Sequence, residues 1–220
     1  MTNIDAAQDI WTPSWENRLI PTAEAGDEFA ELIAATRAAQ EAVTRSYPTP
    51  EVATRLAAGL REIASELGEF EADEDGQLAG KRYDLPGRGH PLPAPLHIDT
   101  VTDTSASARV TVGRFHSGRY ALNGGVTTLI FDEILARVAN GGGRPWARTA
   151  CLTVQFRAPA PLHTELRVTA ELVGQEGRKR YLRGAMYHGD LLVAEADGLW
   201  VEIRTEQAQN LSHQTEVSAR

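Results

Sequence analysis

One long apolar helix followed by four strand-like runs fills the second half of this 220-residue chain, and that order leaves few folds open. The helix reads from residue 124 to about 140. Val126, Leu129, Ile130, Ile134, Leu135 and Val138 recur at three- and four-residue intervals, and Asn140 with three glycines ends the run. The strand runs cover residues 149–157, 165–174, 180–188 and 191–203. Alternation is visible in Leu152, Val154 and Phe156, and again in Leu166, Val168 and Ala170. The segment from Gly174 to Gly177 and the triplet His188-Gly189-Asp190 supply turns at hairpin spacing, so the runs are expected as antiparallel neighbours in a meander. One more strand run, residues 107–115, precedes the helix. The expected class is α+β, with a long helix against one face of an antiparallel sheet.

The first half is of another kind. A chain of this length holds one ordinary domain of about 100–150 residues plus an appendage. Residues 1–21 are polar, carry Pro13 and Pro21 and show no period, which reads as a loosely attached arm anchored by Trp11 or Trp15. Residues 23–45 read as one helix, ended by Tyr47-Pro48. A second begins with Thr49 as cap and Pro50 in its first turn, and Leu56, Leu60, Ile63 and Leu67 recur along it before Gly68. Each helix has one apolar face, so the two are expected to pack on each other or on the domain C-terminal to them. Residues 71–95 are acidic, then rich in Gly and Pro, and mark the boundary. The expected division is an arm and two-helix extension over 1–90, a folded domain over 91–205 and a flexible tail over 206–220.

Composition narrows function. A net charge of −8 and a pI near 5.3 lack the basic footprint of a nucleic-acid binder. With Cys151 alone there is neither an intrachain disulfide nor a thiolate metal site, and no His or Cys spacing suggests a metal, so no cofactor is expected. The sequence shows no secretory signal and no run of 18 apolar residues, and a cytoplasmic location is expected. No G-x-S-x-G occurs, which leaves serine hydrolysis through a nucleophile elbow without support.

Burial does not explain Gly124 and Gly125 at the helix start, nor Asp132 and Glu133 within it. Glycines at a helix N-terminus bare backbone N–H groups at the positive end of the dipole, which suits an anion or a developing oxyanion. The plainer alternative is that Asn123 caps the helix and the glycines let the chain turn. Asp132 falls nearly opposite the apolar stripe, ready to act as base or nucleophile in a cleft, or else to meet solvent or an arginine such as Arg137 or Arg148. Eight residues separate Gly124 from Asp132, about 12 Å along a helix axis. One small reacting group cannot touch both, so a shared site needs the carboxylate of a second copy lying antiparallel, and a twofold dimer with two sites.

The triplet Asn123-Gly124-Gly125, then VTTLIF and Asp132, resembles the HGG-x6-acid motif of hotdog-fold acyl-CoA thioesterases of the PaaI type. ARTACLTVQFRAPAPLHTELRVTAELV and VAEADGLWVEI are similar to that family's later strands, so the resemblance spans residues from about 95 to 203. It implies a sheet curled round one helix, paired as a homodimer or a dimer of dimers, and an acyl-CoA substrate. It further implies Gly124 as oxyanion donor, Asp132 of the partner as nucleophile or base, and Thr149 as a hydroxyl near that acid. Asn123 stands where the family has His, so it inherits the position without the imidazole. His116, Ser117 and Gly125 lie where the family's substrate runs. Arg178, Lys179 and Arg180 form the densest basic cluster, with Arg157 a second candidate, to meet the phosphates of coenzyme A. The expected function is acyl-CoA thioester hydrolysis; the alternative is a non-catalytic acyl-CoA or lipid-binding module. A hotdog dehydratase is disfavoured, because the helix carries no His.

Overall fold

The computed structural model describes residues 26–73 and 76–204; the expectations for the arm at 1–21 and the tail at 206–220 lie outside them. Among the described residues three α-helices and six strands appear: α1 (Glu28–Arg45), α2 (Pro50–Gly68), β1 (His97–Val101), β2 (Ser105–Thr111), α3 (Gly124–Ala139), β3 (Ala147–Phe156), β4 (Glu165–Glu176), β5 (Lys179–His188) and β6 (Leu191–Glu202). No helix among the described residues is long and apolar enough to cross a membrane. The chain divides into two compact units. One holds the helical segment up to Leu92 with Gly113–Phe115; the other holds Pro93–Val112 and the chain from His116 onward.

In the helical unit α1 and α2 start and stop near the expected places. Thr49 caps α2, its hydroxyl accepting from Val52 N at 3.4 Å. The expected packing of the two apolar faces is not found for α2, which buries no residue and leaves Leu56, Leu60, Ile63 and Leu67 about half exposed. α1 buries Ile33, and its Arg37 donates to the carbonyls of Pro86 and His90. Arg82, fully buried, is paired with Asp84 at 2.7 Å. Glu41 accepts from the amides of Arg114 and Phe115, which ties Gly113–Phe115 to α1.

The second unit is a six-stranded antiparallel sheet in the order β1-β2-β4-β5-β6-β3, with α3 on one face. This corrects the expected meander of four. β4, β5 and β6 do run as a meander, but β3 pairs with β6 at the far edge, and β4 pairs with β2. β1 was not expected at all, being short, mostly exposed and paired only with β2.

The register explains where α3 lies. Ala106 faces Ala170, Ala170 faces Gly184, Gly184 faces Ala196 and Ala196 faces Val154, so the smallest side chains cross the sheet in one row. A Cβ at Gly184 would stand 2.8 Å from the ring of Phe131, which is wholly buried. The helix sinks onto this row while Leu166, Val168, Leu182, Met186 and Trp200 fill the space beside it, forming one core with Ile130, Ile134, Leu135 and Val138. This is the hotdog fold: a sheet wrapped round one long helix, here with an N-terminal helical extension.

Candidate active site at the N-terminus of α3 and the β3 edge

Asn123 starts the helix by a local device. Its backbone is extended (φ −64°, ψ 136°), its amide donates to His116 O at 2.9 Å, and its Oδ1 accepts from Gly125 N at 2.8 Å. The capping alternative therefore describes Asn123 and also removes Gly125 N–H from the pool of free donors. Gly124 is left. Its N–H is one of the helix's orphan donors and makes no hydrogen bond among the described residues. Phe156 at the end of β3 stands over it, ring carbon Cζ 3.1 Å from where a Cβ would be.

Gly124 and Phe156 also line a cavity of about 460 Å³, whose wall includes Leu122, Thr127, Met186 and Val193. That volume lies in the lower part of the ~300–1,000 Å³ range of small-molecule sites. Sequence reasoning read Phe156 as one member of an alternating strand; the end of that alternation, one residue before Arg157 and the Pro-containing bend, was the available sign that it closes a strand beside the helix start.

Asp132 is half-buried on the side of α3 that meets the β3 edge, and its Oδ1 accepts from the Thr149 hydroxyl at 2.7 Å. β3 is irregular just here, with a register shift between Thr149 and Cys151 against β6. Such a bulge re-aims a side chain, and here it stands where the hydroxyl meets the helix. Glu133 takes another course: it pairs with the buried Arg137 one turn on, at 2.8 Å.

The basic residues do not gather as expected. Arg180 is a correction, for it is fully buried and donates to Ala139 O at 2.8 Å, closing the C-terminal end of α3. Burial lowers its pKa, Glu202 opposes that and Arg144 adds to it. The reason is the strand period, which puts Arg180 on the inner face with Leu182, Gly184 and Met186. Arg178 donates to Glu202 O at 2.9 Å, Lys179 is exposed, and Arg157 is paired with Glu195 and Gln155. His116 is buried in the turn before the helix, and the Ser117 hydroxyl accepts from Arg119 N at 3.1 Å.

Comparison with known proteins bears on the fold. Residues 121–195 match the model of the thioesterase superfamily. No curated protein matches. A crystal structure of a thioesterase superfamily protein shares 27% identity, covering 79% of this chain and 94% of that one with a TM-score of 0.69. The share is too large for the sheet unit alone, so part of the helical extension is aligned as well. The Escherichia coli PaaI protein from the phenylacetic acid degradation operon shares 20% identity over 49% of this chain and 82% of its own (TM-score 0.46). Zebrafish thioesterase superfamily member 2 shares 16% over 47% and 78% (TM-score 0.45). The chain is thus similar to thioesterase superfamily proteins in fold and in the segment that carries α3, β3, β4 and β5.

Proposed function

We propose that the protein hydrolyses acyl-CoA thioesters at a site shared by two copies of the chain. One observation carries the reading: Asp132, oriented by Thr149, sits at the exposed edge strand of the sheet, where a second copy can reach it. The acyl group enters the cavity beside Gly124, and the thioester oxygen meets the Gly124 amide. As water, or the carboxylate itself, attacks the carbonyl carbon, negative charge gathers on that oxygen. The helix N-terminus stabilises the charged state more than the ground state. In the first course Asp132 of the partner takes the water's proton and passes it to the departing sulfur, so that the carboxylic acid and coenzyme A thiol leave. In the second its carboxylate forms a mixed anhydride as coenzyme A departs as thiolate, and water then hydrolyses the anhydride and frees the acid. The hydrogen bond from Thr149 fixes the orientation of the carboxylate.

Two substitutions test the two halves of the site. Asp132→Asn keeps the shape and removes the base. Gly124→Pro removes the amide hydrogen at a position whose backbone accepts proline, since Asn123 already has the extended conformation that precedes one. Gly124→Ala, which sets a methyl against Phe156 but keeps the hydrogen, is the control for the added bulk. With a panel of acyl-CoAs assayed by thiol release, Gly124→Pro should lower kcat about 10²–10³-fold, the typical cost of one oxyanion donor. Asp132→Asn should lower it at least as far. Turnover unchanged by either substitution rejects the mechanism. A tight acyl-CoA complex without thiol release selects the non-catalytic alternative, which the side-chain cap on Gly125 favours.

A further inference from the structure

The two-residue turn before α3 is built against its own backbone preference. Gly118 N donates to Ala121 O at 2.8 Å and Ser117 pairs with Leu122, so Arg119 and Tyr120 form the tip of a tight hairpin. Their φ angles are 70° and 71°. Among the described residues no other two consecutive non-glycine residues both lie in that left-handed region. Turns of this kind normally take Asn-Gly, Asp-Gly or Gly-Gly, because a side chain at positive φ is strained.

What the strained pair presents is an exposed cation and an exposed ring. Tyr120 is 87% exposed, and the Arg119 guanidinium lies 5.9 Å from its ring centre. Arg119 meets no carboxylate among the described residues, whereas Arg157 and Arg180 are engaged within the protein. The base of the turn stands against the helix start: a Cβ at Gly118, the residue before Arg119, would lie 3.0 Å from Asn123 Cα. In a chain of net charge −8, an anionic ligand near Gly124 needs a local cation.

We infer that Arg119 and Tyr120 hold the phosphopantetheine arm of the thioester, the guanidinium on its phosphate and the ring along the arm. The inference rests on the thioesterase reading and adds the binding element for the leaving group. Guanidinium pairs with two phosphate oxygens in a planar fork, a geometry that an ammonium lacks. Strain kept in the turn that leads into α3, where a glycine would relieve it, marks a turn retained for what its side chains touch.

The test sets stability against recognition. Arg119→Asn with Tyr120→Gly gives the turn its preferred residues, and Tm should rise by roughly 3 °C. Three thioesters of one acyl group are then compared: acyl-CoA, acyl-phosphopantetheine and acyl-pantetheine, which lacks phosphate. The wild type should prefer the two phosphorylated substrates, and the variant should lose that preference about tenfold or more in kcat/KM, chiefly through KM. Arg119→Gln, which keeps the ring, should show the same loss. A preference unmoved in both variants overturns the inference and leaves the thioesterase reading standing. If the wild type turns over none of the three, that reading fails, and calorimetric titration with coenzyme A decides the site: binding weakened tenfold in the variants supports it, and binding equal in all forms, or none, overturns it.

Discussion

His90, in the helical unit, accepts the Leu92 amide at Nδ1 over 3.1 Å, a bond that only the neutral imidazole can make. Burial, then the charges of Arg88 and Arg37, lower its pKa. The folded chain therefore binds a proton there less readily than the unfolded chain does. Its stabilising contribution is complete above the unfolded value of about 6.5 and is lost as pH falls below it towards the folded value. Urea unfolding between pH 7 and 5 should show stability declining with acid, and His90→Asn should flatten that decline. An equal slope in the two proteins would show that the loop is held by other means. The same contrast between a group's partner and its freedom separates Glu133 from Asp132. Both were legible as odd residues in an apolar helix, but only the structure assigns Arg137 to one and Thr149 to the other. Gly124 and Asp132 stood out because helix geometry marks them and Asn123 because it suits a cap, whereas Thr149 was pointed to only by the family resemblance, and its bond to Asp132 is seen only in the structure. The pairing of Arg157 with Glu195 was not, because it depends on β3 lying beside β6.

At the scale of elements, the row of alanines and Gly184 is what lets α3 lie deep in the curved sheet. Gly184→Ala drives a methyl into Phe131, which has no exposed side to move towards. Overpacking of this kind costs about 1–3 kcal/mol, measurable as a lower urea midpoint. Gly174→Ala is the control, since no atom lies within 4 Å of its Cβ position and the substitution should be neutral or mildly stabilising. The strands β4, β5 and β6 could be read from alternation and turn residues, since both are local signals. β1 gives no such signal, with five residues and scarcely a buried one. The jump of β3 across the sheet was illegible for a different reason: hairpin spacing argues that neighbours in sequence are neighbours in space, and the loop after β3 is long enough to break that rule. Arg180 was misplaced although the means to place it were present, because the period of two through Leu182, Gly184 and Met186 already turns it inward.

For the whole molecule the edge strand sets the question. β3 is ten residues long and contains neither Pro nor Lys; Arg148 and the bulge at Thr149–Cys151 interrupt its first half, and the mostly exposed stretch from Leu152 to Phe156 is left open to pairing. Thr149 lies on that strand, and its partner Asp132 lies on the helix beside it. Under the proposed mechanism the Gly124 amide of one copy works with Asp132 of the other, and this makes an arithmetical prediction that a one-chain site does not. Chains bearing Asp132→Asn and chains bearing Gly124→Pro are each expected to be nearly inactive. If the two are mixed by joint refolding, half of the dimers contain one of each, and each mixed dimer assembles one intact site and one doubly damaged site. Activity should then return to about a quarter of the wild-type value per chain, and to about half for mixed dimers purified by two different tags. A site completed within one chain has no intact copy in any mixture, so activity would stay at the level of the separate variants. The same mixture, run on a sizing column with light scattering, reports whether pairing took place, which separates a failure to associate from a site that is not shared.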